Sequence, residues 1–144
     1  MSLILAVLAS SILCLLGVVH LYWAAGGAKG KSAAVPSVNG KPVLSPGVIG
    51  TALVGVGLFA VAAFIMVTAN GSATRSLELP LRVGTGSIGL VFAVRAIGDF
   101  RYVGFFKCVR DSEFARRDTY FYSPLCLLLA GLILATVAMS QLSF

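Results

Sequence analysis

Charge is scarce in this sequence, and acidic charge is the scarcest. Charged residues make up 11% of the 144 residues, with 11 Lys and Arg against 5 Asp and Glu. Soluble globular domains carry about 25% charged residues, so this chain has too few to cover a water-facing surface. Hydrophobic residues make up 58% of the chain, and the mean hydropathy is +0.99. These values exclude an ordinary soluble domain and indicate a membrane protein.

Residues that bind metals or form disulfides are also few. The single histidine excludes haem ligation by two histidines, and no spacing of His, Cys and carboxylate residues matches a familiar metal site. Cys14, Cys108 and Cys126 form neither a CxxC pair nor a disulfide framework. No phosphate-cradling glycine motif and no GxSxG elbow is present. The sequence therefore predicts no metal site, assigns no cofactor or catalytic residue, and leaves open whether the chain is an enzyme.

Four long apolar segments account for most of the chain. Each has about the 20 residues that a transmembrane helix needs, so the sequence predicts an all-α, polytopic membrane protein, a four-transmembrane-helix bundle. Residues 1–144 form one membrane domain with spans at residues 3–25, 46–69, 80–102 and 124–142. Ser45-Pro46 and Ser123-Pro124 each predict a helix N-cap followed by proline in the first turn, and Pro80 is predicted to begin the third span. No proline is expected inside a span.

Basic residues are distributed unevenly between the two sides of the predicted bundle. Segments 26–45 and 101–123 carry eight basic residues and lie on one side, whereas Arg75 and Arg82 are the basic residues predicted on the other. The positive-inside rule places loops 26–45 and 103–123 in the cytoplasm and both termini on the non-cytoplasmic side. Anionic lipid head groups explain the net charge of +6 better than nucleic acid does. Membrane lipids are therefore expected partners, and nucleic acid is not.

Small residues and a turn motif predict local packing. Spaced small residues that allow close helix contact occur on the second and third spans, namely Gly47, Thr51 and Gly55, and Thr85, Gly89 and Ala93. In the first loop, Val38-Asn39-Gly40-Lys41 is compatible with a short hairpin and also with a flexible connection, because Asn-Gly favours a tight turn.

The third span carries two charged residues at membrane depth. At 1.5 Å per residue, Arg95 lies about 20 Å and Asp99 about 26 Å beyond Arg82. If Arg82 marks the outer interface of a hydrocarbon core about 30 Å thick, both lie in its cytoplasmic half. An arginine there costs about 2.5–3.5 kcal/mol on insertion scales. Arg95 and Asp99 are four residues apart, so they are predicted to form an ion pair that faces the bundle interior.

Other polar and aromatic residues are predicted at the same level of the membrane. His20 is about 25 Å from the outer side, Trp23 follows it, and Asp118 and Tyr122 precede the fourth span. The ligand-binding candidates are His20, Trp23, Arg95, Asp99, Asp118 and Tyr122. Ionisable residues inside a membrane indicate a functional site by default. Structural interpretations remain open: a packing pair for Arg95 with Asp99, a hydrogen bond to a neighbouring helix for His20, a helix cap or a partner of Arg116 or Arg117 for Asp118, and an interfacial belt for the aromatic residues.

Three blocks of sequence carry a family resemblance. They are His20-Leu-Tyr-Trp23-Ala-Ala-Gly26-Gly27, Arg95-Ala-Ile-Gly-Asp99-Phe-Arg-Tyr-Val-Gly104-Phe-Phe-Lys107, and Phe114-Ala-Arg-Arg-Asp118-Thr-Tyr-Phe-Tyr122-Ser-Pro124-Leu-Cys126. Together the blocks resemble the family of small bacterial integral membrane proteins catalogued as domain of unknown function 3995. The resemblance implies a multi-pass protein of the bacterial inner (plasma) membrane and brings no activity with it.

The candidate residues support three functional hypotheses. The first is a cytoplasm-facing polar pocket that binds, with or without transforming it, a small or lipid-like ligand. Arg95 would hold an anionic or carbonyl group, Asp99 would orient Arg95, and His20 would exchange a proton near neutral pH. The alternatives are a structural or accessory membrane subunit, in which the buried Arg-Asp pair fixes helix packing, and a dimeric proton-coupled transporter. A homo-oligomer is compatible with all three hypotheses.

Overall fold

Four long helices dominate the structure. A computed structural model describes residues 1–38, 41–43, 46–71 and 75–140 of the chain. The long helices are α1 (Ser2–Ala24), α3 (Val48–Asn70), α4 (Arg75–Ile97) and α6 (Ser123–Ser140). Between them lie the short helices α2 (Lys31–Ala34) and α5 (Glu113–Arg117), a π turn (Asp118–Tyr122), and the two-residue strands β1 (Ser37–Val38) and β2 (Lys41–Pro42).

Each long helical segment is long and apolar enough to cross a membrane. These segments are Ser2–Ala24, Val48–Asn70, Ser76–Ile97 and Glu113–Ser140, the last of which joins α5, the π turn and α6. The architecture confirms the predicted all-α class and its four membrane-capable helices, and it indicates a multi-pass membrane protein. The side of the membrane on which the termini lie stays a prediction.

The third helix differs from its predicted span at both ends. Residues 80–102 were the expected range, but α4 begins at Arg75 and ends at Ile97. It ends there because Gly98 has a φ of +99°, outside the helical region, and Phe100 follows with a φ of +61°. Asp99 therefore lies in the loop after α4, and the prediction that it shares a helix face with Arg95 is wrong.

Two prolines lie inside helices, contrary to the sequence-based expectation. Pro80 is within α4, and Pro124 is within the continuous segment Glu113–Ser140, whose N-cap is Ser112 rather than the predicted Ser123. The Ser112 side chain accepts a hydrogen bond from the backbone N–H of Ala115. A proline lacks the N–H that a helix interior needs. The π turn just before Pro124, closed by the N–H of Ser123 on the carbonyl of Asp118, locally widens the helix there.

The first loop contains a short antiparallel ladder. Ser37 pairs with Pro42, and Val38 pairs with Lys41. This pairing favours the hairpin over the flexible connection. The turn residues Asn39 and Gly40 lie outside the described residues, as does Ser45. The prediction that Ser45 caps the second helix is wrong, because α3 begins at Val48 with Gly47 as its N-cap and Pro46 precedes it.

The tight core occupies one half of the bundle. Buried apolar residues from the start of α1 and from α3 and α6 form it: Ala6, Ala9, Leu13, Ala62, Ile65, Leu129 and Ile133. This half contains the starts of α1 and α4 and the ends of α3 and α6, and is called the terminal end. The other half contains the ends of α1 and α4, the start of α3, and the described residues of the first loop and of segment 98–112, and is called the polar end.

Small residues bring the helices together, as predicted for Gly55 and Gly89, whereas a Cβ added to Gly47 would meet no described residue within 4 Å. Gly17 of α1 and Gly55 of α3 pack so closely that an added Cβ on either would lie 3.1 Å from the carbonyl oxygen of the other. An added Cβ on Gly89 of α4 would meet the Leu134 side chain of α6 at 2.9 Å. Within lipid the hydrophobic effect does not drive helices together, because the lipid tails are as apolar as the helix surfaces. Close van der Waals packing of this kind therefore stabilises the bundle.

The helices pack as two pairs that spread apart at the polar end. Helix α1 packs most extensively on α3, and α4 on α6. Helices α3 and α4 touch toward the terminal end, where the Thr68 and Thr85 hydroxyls are 2.8 Å apart and an added Cβ on Gly84 would contact the Phe64 ring. The contacts between α3 and α4 are few, and both helices contribute lining residues to the site described next.

Candidate functional site

A fully buried carboxylate organises the polar end. Asp118 lies at the start of the π turn with 0% of its side chain exposed. Its Oδ1 accepts a hydrogen bond from Arg95 Nη2 at 2.9 Å. Its Oδ2 accepts hydrogen bonds from Lys107 Nζ at 3.0 Å and from the Gly104 backbone N–H at 2.7 Å. The three side chains Arg95, Lys107 and Asp118 are called the charge cluster.

Lys107 is closed off within the cluster. Its side chain is 1% exposed, which is rare for a lysine. Its Nζ donates to Asp118 Oδ2, to the Gly104 carbonyl at 2.9 Å and to the Thr119 hydroxyl at 2.6 Å. An ammonium has three donors, and all three have acceptors here. Lys107 therefore has no donor left for a ligand, and its position serves the fold.

Arg95 is only partly satisfied. Its guanidinium carries five N–H donors, and within the described residues its hydrogen bond is the one from Nη2 to Asp118. Nη1 is shielded from solvent and meets no acceptor in that part of the chain. An enclosed donor without a partner is unfavourable. The side chain as a whole is 34% exposed, so part of Arg95 is accessible while Nη1 stays enclosed and unpaired within the described residues.

The charge cluster contains two cations and one anion. Arg95 and Lys107 both pair with Asp118, and the other described ion pair at this end, Arg117 with Glu113, is exposed and separate. The cluster thus holds a net charge of +1 in a region where burial strengthens electrostatic interactions. A second anion beside Arg95 would balance it.

Asp99 lies in the loop and caps its backbone. Its Oδ1 accepts hydrogen bonds from the backbone N–H groups of Arg101, Tyr102 and Val103 at 2.7–2.9 Å. Partial desolvation raises the pKa of this carboxyl, but the three N–H donors outweigh that effect, and the pKa lies below its ordinary value. A depressed pKa means that the carboxylate stabilises the loop above its unfolded pKa, and that this contribution is lost as the pH falls through the folded pKa.

Two glycines let this loop fold back on the end of α4. Gly98 and Gly104 have φ values of +99° and +88° and lie backbone to backbone. A Cβ on Gly104 would overlap the carbonyl oxygen of Ile97, and one on Gly98 would overlap that of Val103. The close approach allows the Phe105 N–H to donate to the Ala96 carbonyl at 2.9 Å. It also presents the Gly104 N–H to Asp118.

A cavity of about 420 Å³ lies between the two helix pairs at the polar end. This volume is within the range of about 300–1,000 Å³ that ligand pockets have. Its wall is mainly apolar, with residues such as Leu16, Val54, Leu58, Phe92 and Phe114. The charged residues in its wall are the cations Arg95 and Lys31, and the described lining contains no carboxylate. The described wall of the cavity thus combines an apolar surface with positive charge.

His20 adds a proton acceptor to the cavity wall. Its Nδ1 is 2.8 Å from the Leu16 carbonyl one turn earlier in α1, and its ring packs edge-on against Trp23 with centroids 5.3 Å apart. A carbonyl can only accept, so Nδ1 carries the proton in this geometry. In the neutral ring Nε2 is then an acceptor.

Residues 26–38, called the strap, close the cavity at the polar end. Trp23 Nε1 donates to the Lys29 carbonyl at 2.8 Å, and the Tyr122 hydroxyl donates to the Ala33 carbonyl at 3.2 Å. Ala33 is buried, while Ala34 and Val35 line the cavity from this side. Trp23 and Tyr122 therefore position the strap with their polar atoms and line the cavity with their rings.

The structure brings together five of the six predicted site residues. His20, Trp23, Arg95 and Tyr122 line one cavity, and Asp118 holds Arg95. Asp99 stands apart, and the predicted Arg95–Asp99 pair is wrong because α4 ends between the two residues. Asp118 pairs with neither Arg116 nor Arg117, the latter of which binds Glu113.

Lys107, Gly104 and Lys31 were not among the predicted site residues. In the sequence, Lys107 and Lys31 are two of several loop cations that indicate orientation, and Gly104 is one of 16 glycines. The one available signal for Lys107 is its position after Phe105-Phe106, in a block that also carries the family resemblance. Burial of a lysine in a loop depends on a tertiary partner that local sequence does not reveal.

Comparison with known proteins places the chain in a family without assigning an activity. The model of a family described as "Protein of unknown function (DUF3995)" matches residues 13–133, which include α1 from Leu13 onward, the strap, α3, α4 and the charge cluster. No curated protein and no solved structure matches the chain.

Proposed function

The chain belongs to the DUF3995 family of proteins of unknown function, and from its geometry we propose that it binds a small or lipid-like anion in the cavity at the polar end. Arg95 is the anchor for the negative group. The observation that carries this proposal is the excess cation of the charge cluster, since Arg95 and Lys107 share the single carboxylate of Asp118.

The two cations of the charge cluster differ in how many of their N–H donors are used, and this difference supports Arg95 as the binding residue. Lys107 alone can neutralise Asp118, and it has no donor free. Arg95 has free donors and lines the cavity, while Asp118 fixes the orientation of its guanidinium. Arg95 therefore contributes more to an anion in the cavity than to the neutrality of the cluster. A planar guanidinium suits carboxylate and phosphate groups in particular.

The remaining wall adds affinity and proton exchange. Lys31 supplies a second positive charge at the strap, and His20 Nε2 can accept a proton from the ligand or, when the ring is protonated, donate one to it. Apolar side chains surround the rest of the ligand. Binding is the function that this arrangement supports, and any transformation of the ligand would use His20.

Trp23 provides a direct binding assay, because it is the single tryptophan of the chain and lines the cavity. A fatty acid brominated on its chain is titrated into purified protein in detergent, and quenching of the Trp23 fluorescence is recorded. We expect saturable quenching by the acid and weak, unsaturable quenching by the matching brominated methyl ester. Replacing Arg95 by glutamine removes a charge-assisted hydrogen bond worth about 1.5–3 kcal/mol, so affinity should fall by about tenfold or more.

The matched control is Arg116→Gln, which removes an exposed cation from the same end of the bundle. Its affinity should equal that of the wild type, and thermal unfolding should show that both variants are folded. Equal affinity of the wild type and Arg95→Gln would refute the proposal.

A further inference from the structure

We propose that the ligand of this cavity is a single-chain lipid with one anionic head group, and that it enters sideways from the bilayer through the gap between α3 and α4. This inference rests on the proposed function, because it assigns the ligand class and the route to the same site. It follows from which walls of the cavity are closed and which are open.

The polar end of the cavity is closed by the strap. Two side-chain hydrogen bonds, from Trp23 to Lys29 and from Tyr122 to Ala33, tie the strap across the helix ends. Lys31, Ala34 and Val35 of the strap form part of the wall, and Ala33 is buried. A water-soluble anion arriving from the loop side would have to displace these contacts.

The side between α3 and α4 is open. These helices contact one another near the terminal end, through Thr68 and Thr85, and both contribute cavity-lining residues farther toward the polar end. On α3, Gly50 and Val54 line the cavity and are also exposed, Val54 by 50%. Residues that are both exposed and cavity-lining mark a mouth. Of the four such residues in the described part of the chain, three lie on α3 or just before it, since Pro46 shares both properties, and the fourth is Val19 of α1. Because α3 and α4 are membrane-capable helices, this mouth faces the lipid when the helices span the membrane.

The polarity of the cavity changes along the helix axis in the way that such a lipid requires. The cations Arg95 and Lys31 lie toward the polar end, whereas Leu16 and Leu58 form the end nearest the core. From Gly50 to Leu58 the wall extends eight residues along α3, or about 12 Å. A head group on Arg95 would thus place an acyl chain along Val54, Leu58 and Phe92. The volume of about 420 Å³ is near the lower limit for ligand pockets, which suits one chain rather than two.

The mouth can be blocked by one substitution that has a matched control. A Cβ added at Gly50 meets none of the described residues within 4 Å, so Gly50→Phe would place a ring beside the mouth without a clash in that part of the chain. Gly86 of α4 is equally open but lies nine residues from Arg95, about half a turn around the helix, so it faces away from the cavity. Gly86→Phe is therefore the control. Both substitutions make the same chemical change within a helix, and neither adds a tryptophan.

The experiment is the Trp23 quenching titration with the chain-brominated fatty acid, carried out in lipid nanodiscs with the two phenylalanine variants. We expect Gly50→Phe to weaken saturable binding by about tenfold or more and Gly86→Phe to leave it unchanged. Four unbrominated competitors identify the ligand: a long-chain fatty acid, a single-chain lysophosphatidate, a long-chain alcohol, and a mixture of acetate and inorganic phosphate. The fatty acid or the lysophosphatidate should displace the probe, and the alcohol and the head-group anions should not.

Each outcome separates this inference from the proposed function. If Gly50→Phe binds like the wild type while Arg95→Gln still weakens binding, sideways entry is overturned and the anion site stands. If acetate and phosphate compete as well as the long-chain anions do, the ligand is a water-soluble anion and the lipid assignment is overturned. If Arg95→Gln binds the probe like the wild type, the proposed function fails and this inference fails with it.

Discussion

At the scale of single residues, two aspartates only 19 positions apart have opposite environments. Asp118 is fully buried and receives two cations and one backbone N–H. Asp99 is exposed and receives three backbone N–H groups. A neutral amide can accept hydrogen bonds from backbone donors nearly as a carboxylate does, but it cannot neutralise two buried cations. The two residues should therefore respond differently to the same substitution.

We expect Asp118→Asn to lower the free energy of unfolding by about 3–5 kcal/mol, because it leaves the buried Lys107 and the partly buried Arg95 without a counter-charge. Asp99→Asn should cost less than about 1 kcal/mol, since its oxygen can still accept from the loop backbone. Unfolding in detergent can be followed with a thiol-reactive dye, because Cys14 and Cys126 are partly buried in helices. A larger loss for Asp99→Asn than for Asp118→Asn would contradict the assigned roles.

The difference between these aspartates also shows what the sequence could predict of the site. Residue type and membrane depth were enough to select Arg95, His20 and Asp118, because ionisable groups are rare at such depth. They were not enough to pair them. The pairing of Arg95 depended on where α4 ends, and the positive φ values at Gly98 and Phe100 that end it arise from contacts with the folded-back loop.

At the scale of elements, the loop after α4 is held by backbone contacts more than by side chains. Gly98 and Gly104 touch each other, and the Gly104 N–H reaches Asp118. The loop thus connects the end of α4 to the charge cluster. Its sequence gives little indication of this, because glycine in a loop is common, whereas a backbone-to-backbone contact between two glycines is a tertiary feature.

We expect Gly104→Ala to destabilise the protein by about 2 kcal/mol or more. The alanine backbone would have to keep an unfavourable positive φ, and its methyl group would overlap the Ile97 carbonyl. Gly71→Ala is the control for the φ effect alone. Gly71 has a φ of +63° after α3, and a Cβ there meets nothing within 4 Å, so the cost should be about 1 kcal/mol. The same thiol-dye assay measures both variants. Equal costs would show that the backbone contact contributes nothing.

The elements themselves were largely predictable, and their ends were not. Four apolar segments of suitable length identified the four helices, since a chain of this composition has few other ways to satisfy its backbone in lipid. Prolines misled the assignment of two helix starts. The sequence predicted that Pro80 and Pro124 begin their helices, but both lie within longer helices. Near Pro124 the π turn changes the hydrogen-bond pattern, so the residues before the proline can be helical as well.

At the scale of the whole molecule, the distribution of charge predicts how the bundle lies in a membrane. The strap and the segments around α5 carry most of the basic residues and all lie at the polar end. Positive-inside orientation would place this end in the cytoplasm. The cavity would then lie in the cytoplasmic half of the membrane, with its mouth toward the inner leaflet.

Cys108 provides a test of this orientation, because it is exposed in the loop at the polar end, whereas Cys14 and Cys126 lie within apolar helices. In a bacterium expressing the protein, a membrane-impermeant maleimide should label Cys108 only after the cells are permeabilised. The control is Asn70→Cys in a Cys108→Ser background. Asn70 is exposed at the terminal end, so this cysteine should be labelled in intact cells. Labelling of Cys108 in intact cells would reverse the predicted topology.

The π turn has a consequence for how this protein can tolerate deletions. Asp118 begins that turn, and the widened backbone lets the segment Glu113–Ser140 continue past Pro124. A π turn holds one residue more than a regular helical turn, so removing one residue between positions 118 and 122 would give a regular helix and leave the upstream residues near their present orientation. Removing a residue from the middle of α6, such as Leu127, would instead rotate Asp118 by about 100° around the axis relative to the rest of α6, and the carboxylate would face away from its cations. Loss of one residue should therefore be tolerated better within the π turn than within α6.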